Sequence, residues 1–169
     1  MSTSAPLLDE ARRTQVIPAV AGEAFERAEA RFAAGHRGRN LDQGQRTLAW
    51  VLALSDRLVE VGHREPGTGS HTVLGLLAAA VREAGGTVTG IASSATGAAY
   101  LSAVLDGTPA LALDTWCRSR SAEPRLHPGD MLIVTGARTV LEAWPERVRQ
   151  LVDKAAHAGA VVRLIGQPA

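Results

Sequence analysis

From Leu58 onward the chain alternates short apolar runs of strand length with stretches long enough for several helical turns, and this alternation restricts the fold more than any other feature. The runs "LVEVG" (58–62), "TVTGIAS" (87–93), "DMLIVTG" (130–136) and "AVVRLIG" (160–166) read as strands. Between them, "HTVLGLLAAAVREAG" (71–85), stopped by Gly85 and Gly86, "ATGAAYLSAVLDG" (95–107) and "TVLEAWPERVRQLVDKAAHAG" (139–159) read as helices, the last with Pro145 at a turn or kink. Strands separated by helices of this length cannot be hairpin partners; they call for a parallel sheet with right-handed crossovers. The expected architecture is α/β, a three-layer sandwich with a mostly parallel sheet.

The first forty residues read differently. Pro6 and Pro18 limit the opening segment to a short helix with a flexible lead. "AGEAFERAEARFAAG" (21–35) then places Phe25, Ala28 and Phe32 at helical spacing among charges, with Gly35 closing the run. The basic stretch "HRGRN" (36–40) reads as a linker, which makes 1–40 an N-terminal helical arm and 41–169 the main domain. Asp42 is a plausible N-cap for "QGQRTLAWVLALSDR" (43–57), whose Leu48, Val51, Leu52 and Ser55 form the expected buried face.

Composition excludes several classes of function. Eighteen Lys and Arg against 17 Asp and Glu leave a net charge of +1, so no global field draws the chain to nucleic acid or acidic lipid, and any basic footprint is local. One cysteine, Cys117, rules out an intrachain disulfide, and five dispersed histidines give no zinc spacing. His63, Glu65 and His71 around the glycine turn read as solvated loop residues, and no metal is expected. Without an apolar run of membrane-spanning length or a signal-peptide pattern, the expectation is a soluble, cytoplasmic protein with no membrane partner. No G-x-S-x-G elbow occurs to support a serine hydrolase.

The most informative local motif is "REPGTGSHT" (64–72), which sits between a strand and a helix as a phosphate-binding loop does. Such a loop works through backbone N–H groups and the helix N-terminus, with a lysine for the phosphate charge and a hydroxyl for Mg²⁺. With Gly69 as the last loop glycine, Arg64 falls on the first glycine position, Ser70 on the lysine and His71 on the hydroxyl. Starting from Gly62 places Thr68 and Gly69 on those last two positions, a poorer match. Thr72 comes one residue late, turned roughly 100° around the helix. The acids that would hold Mg²⁺ and orient water at the end of the third long strand are replaced by Thr135 and Gly136. Gly67 and Gly69 keep the capacity to cradle an anion. The expected cofactor is therefore none, or weakly bound ATP, ADP or another anion.

In segment order the chain from Leu41 to its end resembles the first RecA-like (P-loop) domain of RecD-type superfamily 1 helicases, as found in conjugative relaxases of the TraA/TraI-like MobF group. "LDQGQR" resembles the motif whose glutamine, here Gln45, reads adenine. "PGTGSHT" resembles the "AGTGKTT" loop, and "GGTVTGIASSATGAAYL" the strand and helix that touch the single-stranded DNA backbone. "LALDTWCRSR" resembles the Trp-containing segment that follows, "LHPGDMLIVTGARTV" the strand that usually reads "VDEA", and "AGAVVRLIGQPA" the "AGAKVVLVGDPQQL" strand, with Gln167 at the family's Asp. The resemblance implies degenerate Walker A and B motifs and no catalytic residue. It also implies single-stranded DNA and a relaxase or helicase protein as partners. DNA contacts would fall on Ser93, Ser94 and Thr96, on Trp116 as a stacking plane, and on Arg118 and Arg120; the same residues also read as a helix cap and a partly buried tryptophan beside a solvated loop.

Three functions follow as expectations. The first is a catalytically degenerate helicase-like domain that binds nucleic acid or scaffolds. The second is a divergent ATPase using Arg64 and Thr72 in place of lysine and hydroxyl. The third is a nucleotide-independent protein-interaction domain.

Overall fold

The computed structural model describes residues 4–35, 41–63, 70–105, 108, 110–118 and 124–166. In chain order the elements are α1 (Ser4–Arg13), α2 (Gly22–Gly35), α3 (Gln43–Leu54), β1 (Val59–His63), α4 (Ser70–Glu83), β2 (Val88–Ala92), α5 (Ala95–Val104), β3 (Ala110–Ala112), α6 (Leu113–Arg118), β4 (Met131–Thr135), α7 (Ala137–Ala143), α8 (Pro145–Ala158) and β5 (Val161–Gly166). The five strands form one sheet in the order β1-β5-β4-β2-β3, and every pairing is parallel. Alternate residues along β4 feed two cores: Met131 and Ile133 join one side of the sheet, Leu132 and Val134 the other. Helices α2 to α5 cover the first face and α1, α6, α7 and α8 the second, which gives the expected three layers. Crossovers toward the β3 edge use the first face and those toward the β1 edge the second, as a uniform hand requires.

Local chemistry explains most boundaries. Asp42 caps α3 as expected: its Oδ1 accepts from the Gln45 N–H at 2.7 Å while Gln45 Oε1 accepts from the Asp42 N–H at 3.0 Å, a reciprocal capping box. Pro6 falls in the first turn of α1, where a missing N–H costs nothing, so the opening segment is a ten-residue helix. The single helix expected over 139–159 is two. Pro145 stands at the first turn of α8, and Trp144 ends α7 with a non-helical backbone (φ −140°, ψ 59°), in keeping with the exclusion of helical geometry before a proline. The α3 face also shifts: Ala49, Leu52 and Ala53 are buried, whereas Val51 is 43% exposed and turns outward.

The segment expected as an arm is built into the first core. Phe25 is fully buried, meeting Trp50 edge-on at 5.1 Å between ring centroids. Arg27 and Arg31 of α2 both reach Glu83 of α4, at 3.0 and 2.7 Å. The linker 36–40 lies outside the described residues. On the other face the stretch after α1 extends the sheet edge: the Val16 N–H donates to the Asp56 carbonyl and the Leu58 N–H to the Thr14 carbonyl.

Among the described residues two charged side chains are buried, Asp130 and, with no exposed surface at all, Arg163. Arg163, mid-strand in β5, donates to the carbonyls of Leu52 (2.6 Å), Ser55 (3.2 Å), Arg57 (3.1 Å), Leu58 (3.4 Å) and Val162 (3.0 Å). Burial pushes its pKa down to about 10, opposed by the Glu60 carboxylate on the neighbouring strand, so the guanidinium is a cation at neutral pH.

Four substitutions test these contacts by urea denaturation. Phe25→Ala should cost about 3–5 kcal/mol, the range for emptying a buried aromatic site, whereas Glu83→Ala, whose arginine partners are largely exposed, should cost no more than about 1 kcal/mol per pair. Arg163→Met should lose at least about 1–3 kcal/mol, the cost of leaving a buried carbonyl without a donor, because it removes the donor to all five. Arg163→Lys should recover only part of that, since one ammonium cannot reach all five carbonyls.

Candidate functional site

In a parallel sheet of this kind ligands gather beyond the carboxyl ends of the strands, where successive connections leave toward opposite faces. Here those ends are His63, Ala92, Ala112, Thr135 and Gly166. The helix that follows β2 goes to the first face and the helix that follows β4 goes to the second, so the connections diverge between the ends of these two neighbouring strands.

The glycine turn joins β1 to α4 at this edge. Its residues Arg64, Gly67, Thr68 and Gly69 lie outside the described residues, as do Glu65, Arg120 and Gln167. What flanks it is clear: His63 is exposed at the end of β1, the backbone of Ser70 opens α4, His71 is exposed and Thr72 half-buried in the first turn. A fourteen-residue helix thus points its N-terminus, and the positive end of its dipole, at the turn.

Thr135, half-buried, closes β4. The alternation along the strand puts its side chain on the α4 face, where a metal-holding acid would have to sit to meet the glycine loop. Gly136 follows with a left-handed backbone (φ +63°) and opens α7 with no side-chain cap. A Cβ built on Gly136 would lie 2.5 Å from Ser93 Oγ and 2.9 Å from Ser93 Cβ. The segments leaving β2 and β4 are therefore packed against one another, and no side chain of any kind fits at 136 without displacing Ser93. The end of β5 also closes in, since a Cβ on Gly166 would stand 3.8 Å from Ala137 Cβ.

Of the expected hydroxyl cluster, Ser93 fills this seam. Ser94 caps α5, its Oγ accepting from the Gly97 N–H at 3.1 Å, and Thr96 is exposed one position into the first turn. Sequence reading passed over Tyr100. It is 52% exposed and lies four residues after Thr96, on the same side of α5 one turn further along. The signal for it was available in the spacing alone: an aromatic at i+4 from a helix-start hydroxyl.

Trp116 corrects the sequence expectation of a stacking plane. Its ring is only 2% exposed and belongs to the second core, and the Arg147 guanidinium covers it at 5.2 Å while donating to the Trp116 carbonyl at 3.0 Å. A side chain this buried offers no open face on which a base could stack. Arg118, at the end of the same helix, is exposed. Cys117 beside it has its thiol pushed up by burial, with Arg147 opposing and Asp114 adding, which keeps it protonated and unreactive at neutral pH. Gln45, the expected adenine reader, has its amide oxygen committed to the α3 capping box. Among the described residues no three His, Cys, Asp or Glu side chains form a metal-ligating group, and no helix is long and apolar enough to cross a membrane.

An all-parallel sheet with β5 inserted between β1 and β4, helices on both faces and a glycine turn leading from β1 into α4 together define a P-loop domain of the RecA-like kind. The chain belongs to the AAA domain family, which it matches over residues 40–169. No curated protein matches it.

The seam between β2 and β4 yields a double-mutant test. Gly136→Ala should be destabilised by about 1–2 kcal/mol for the left-handed backbone plus an overpacking cost of about 1–3 kcal/mol against Ser93. Adding Ser93→Gly should recover the second part and leave the first. Equal stability of Gly136→Ala in both backgrounds, measured by thermal or urea unfolding, would show that the two segments are not in contact.

Proposed function

We propose that this P-loop AAA-type domain binds single-stranded nucleic acid at the carboxyl edge of its sheet, does not turn over ATP, and serves as a binding or scaffolding module in conjugative DNA processing. The observation that carries the reading is the end of β4. Thr135 stands where an acid would hold Mg²⁺, and Gly136 is locked against Ser93 in a conformation that accepts no side chain. One substitution at Thr135 could restore the first acid, but the second acid that often follows it could not stand at 136 without displacing Ser93. The sequence departures at Arg64, Ser70 and His71 point the same way, because they remove the charge and hydroxyl that phosphate transfer needs.

The nucleic-acid part rests on the start of α5. Exposed Ser94, Thr96 and Tyr100 offer a helix N-terminus and hydroxyls for a phosphate and an aromatic face for a base, the combination that sequence-tolerant single-strand binders use. The role that the sequence suggested for Trp116 passes to Tyr100. The conjugative context rests on the ordered resemblance of the segments from Leu41 onward to relaxase helicase domains.

Fluorescence anisotropy with a labelled oligothymidylate, read across a salt titration, tests the binding. The expected result is an affinity that falls with salt and weakens about tenfold in Tyr100→Ala, the usual cost of losing one base-stacking ring. No binding at low salt would leave the protein-interaction reading in its place. For the catalytic half, ATP hydrolysis with Mg²⁺, with and without DNA, should stay at background. Steady turnover abolished by Gly69→Trp would instead establish the divergent ATPase.

A further inference from the structure

Three tryptophans are present, and two of them are covered by protein. Trp50 meets Phe25 edge-on and carries the Arg46 guanidinium at 5.7 Å, and Trp116 is buried under Arg147 at 5.2 Å. Trp144 is the exception. It is 42% exposed, and among the described residues no other ring and no guanidinium lies on it. Its hydrogen bonds are those of the main chain, its N–H donating to the Val140 carbonyl and its carbonyl accepting from the Val148 N–H. The backbone closes the corner between α7 and α8 without using the exposed part of the indole.

The position of the ring gives it a use. Helix α8 lies on β5 and leads straight back into it. Its fourteen residues rise about 21 Å and the six residues of β5 about 20 Å, so α8 starts level with the end of β5, at the carboxyl edge of the sheet. Helix α7 arrives at the same level, since it leaves Gly136 at the end of β4 and packs on β5. Trp144, between the two helices, is thus held at the edge where the start of α5 carries Ser94, Thr96 and Tyr100. Helices α5 and α7 leave one seam, the contact of Ser93 with Gly136, and diverge to opposite faces. Tyr100 and Trp144, the two large exposed aromatic side chains among the described residues, therefore flank that seam from either side.

We propose that Trp144 is a second base-stacking platform, and that a single strand crosses the seam from Tyr100 on the first face to Trp144 on the second. This rests on the reading of the α5 start as a single-strand site and extends that site to the opposite face. At about 10 Å for each packed layer, the two rings stand roughly 20 Å apart, which a strand at about 3.4 Å per nucleotide spans with roughly six nucleotides. An indole face takes any base, so the contact adds affinity without sequence preference. It adds no net charge. The exposed arginines of α7 and α8, Arg138 and Arg149, are each paired with a glutamate, Glu142 at 3.0 Å and Glu146 at 3.9 Å. Phosphate contacts elsewhere on the strand supply the salt dependence, and Trp144 supplies stacking, which is independent of it.

The test uses the full chain and a labelled oligothymidylate of about a dozen nucleotides, within the range that one single-strand module covers. Trp144→Ala should weaken binding about tenfold, Trp144→Phe should recover most of that loss, and neither should change the slope of log K against log salt. The Trp144 indole signal, assigned in a two-dimensional ¹H–¹⁵N spectrum by its loss in Trp144→Phe, should shift to saturation at one oligonucleotide per chain, while that of buried Trp116 stays in place. Unchanged dispersion of the other signals confirms that each variant is folded. Binding that Tyr100→Ala weakens, but that moves neither the Trp144 signal nor the affinity of Trp144→Ala, would overturn this inference alone. A shallower salt slope in Trp144→Ala would overturn the stacking role, and two oligonucleotides per chain would overturn the shared path. Absence of binding at low salt would overturn the inference together with the reading on which it rests.

Discussion

The buried guanidinium of Arg163 is the contact on which the arrangement of the site edge depends. It sits in β5 between β1 and β4, and its hydrogen bonds tie that strand to the last turn of α3 through Leu52 and Ser55, and to the lead-in of β1 through Arg57 and Leu58. The end of an α-helix leaves carbonyls without partners; here a cation from the middle of the sheet supplies them, and favours the negative end of the α3 dipole as well. Glu60, its register partner on β1, accepts from Ser55 Oγ at 2.8 Å, and its charge favours the cationic form of the guanidinium. The same residues therefore set the height of β1 relative to β5, and with it where β1 ends, at His63 beside Gly166.

A second staple holds the opposite end of the sheet. Asp130, almost fully buried, accepts from the Thr87 N–H at 2.9 Å and from the His127 N–H at 2.8 Å, and so fixes the starts of β2 and β4 side by side. With both ends constrained, the contact between Gly136 and Ser93 is a consequence of the register: Gly90 pairs with Ile133 and Ile91 with Val134, so the two strands run out together. The seam is closed by the sheet that carries it, and the helices that diverge from it have no freedom to open it.

The strands were legible because each is an apolar run ended by glycine, serine or a charge, and a run of that kind buried between helix layers is what a parallel sheet requires. The exceptions are instructive. β3 is only Ala110–Ala112, three half-buried residues whose place comes from pairing with β2 and packing under α5, neither of which is written in "ALA". Arg163 interrupts "AVVRLIG" and looks like a flaw in a core strand, because the carbonyls that hold it come from a helix more than a hundred residues away. Trp116 lies in a six-residue helix too short to show a periodicity, so its burial rests on Arg147, which is distant in sequence. The split of α7 from α8, by contrast, was already present in Pro145, read as a kink where it is a first-turn residue.

The site shows the same division. Which residue types stand at the glycine turn and at the end of β4 is plain in the sequence, and the absence of lysine and acids can be read by alignment to a motif. What the motif leaves open is whether those positions are vacant or occupied. A vacant acid position would leave a polar crevice between β2 and β4 with room for a metal and its waters. An occupied one would show its neighbours in contact. The distance from a Cβ at 136 to Ser93 decides for the second. Gly136 is a glycine because the backbone there is left-handed and Ser93 fills the volume beside it. A surface such as that of Thr96 and Tyr100 depends only on the start of α5 and is independent of how the seam between Gly136 and Ser93 is packed.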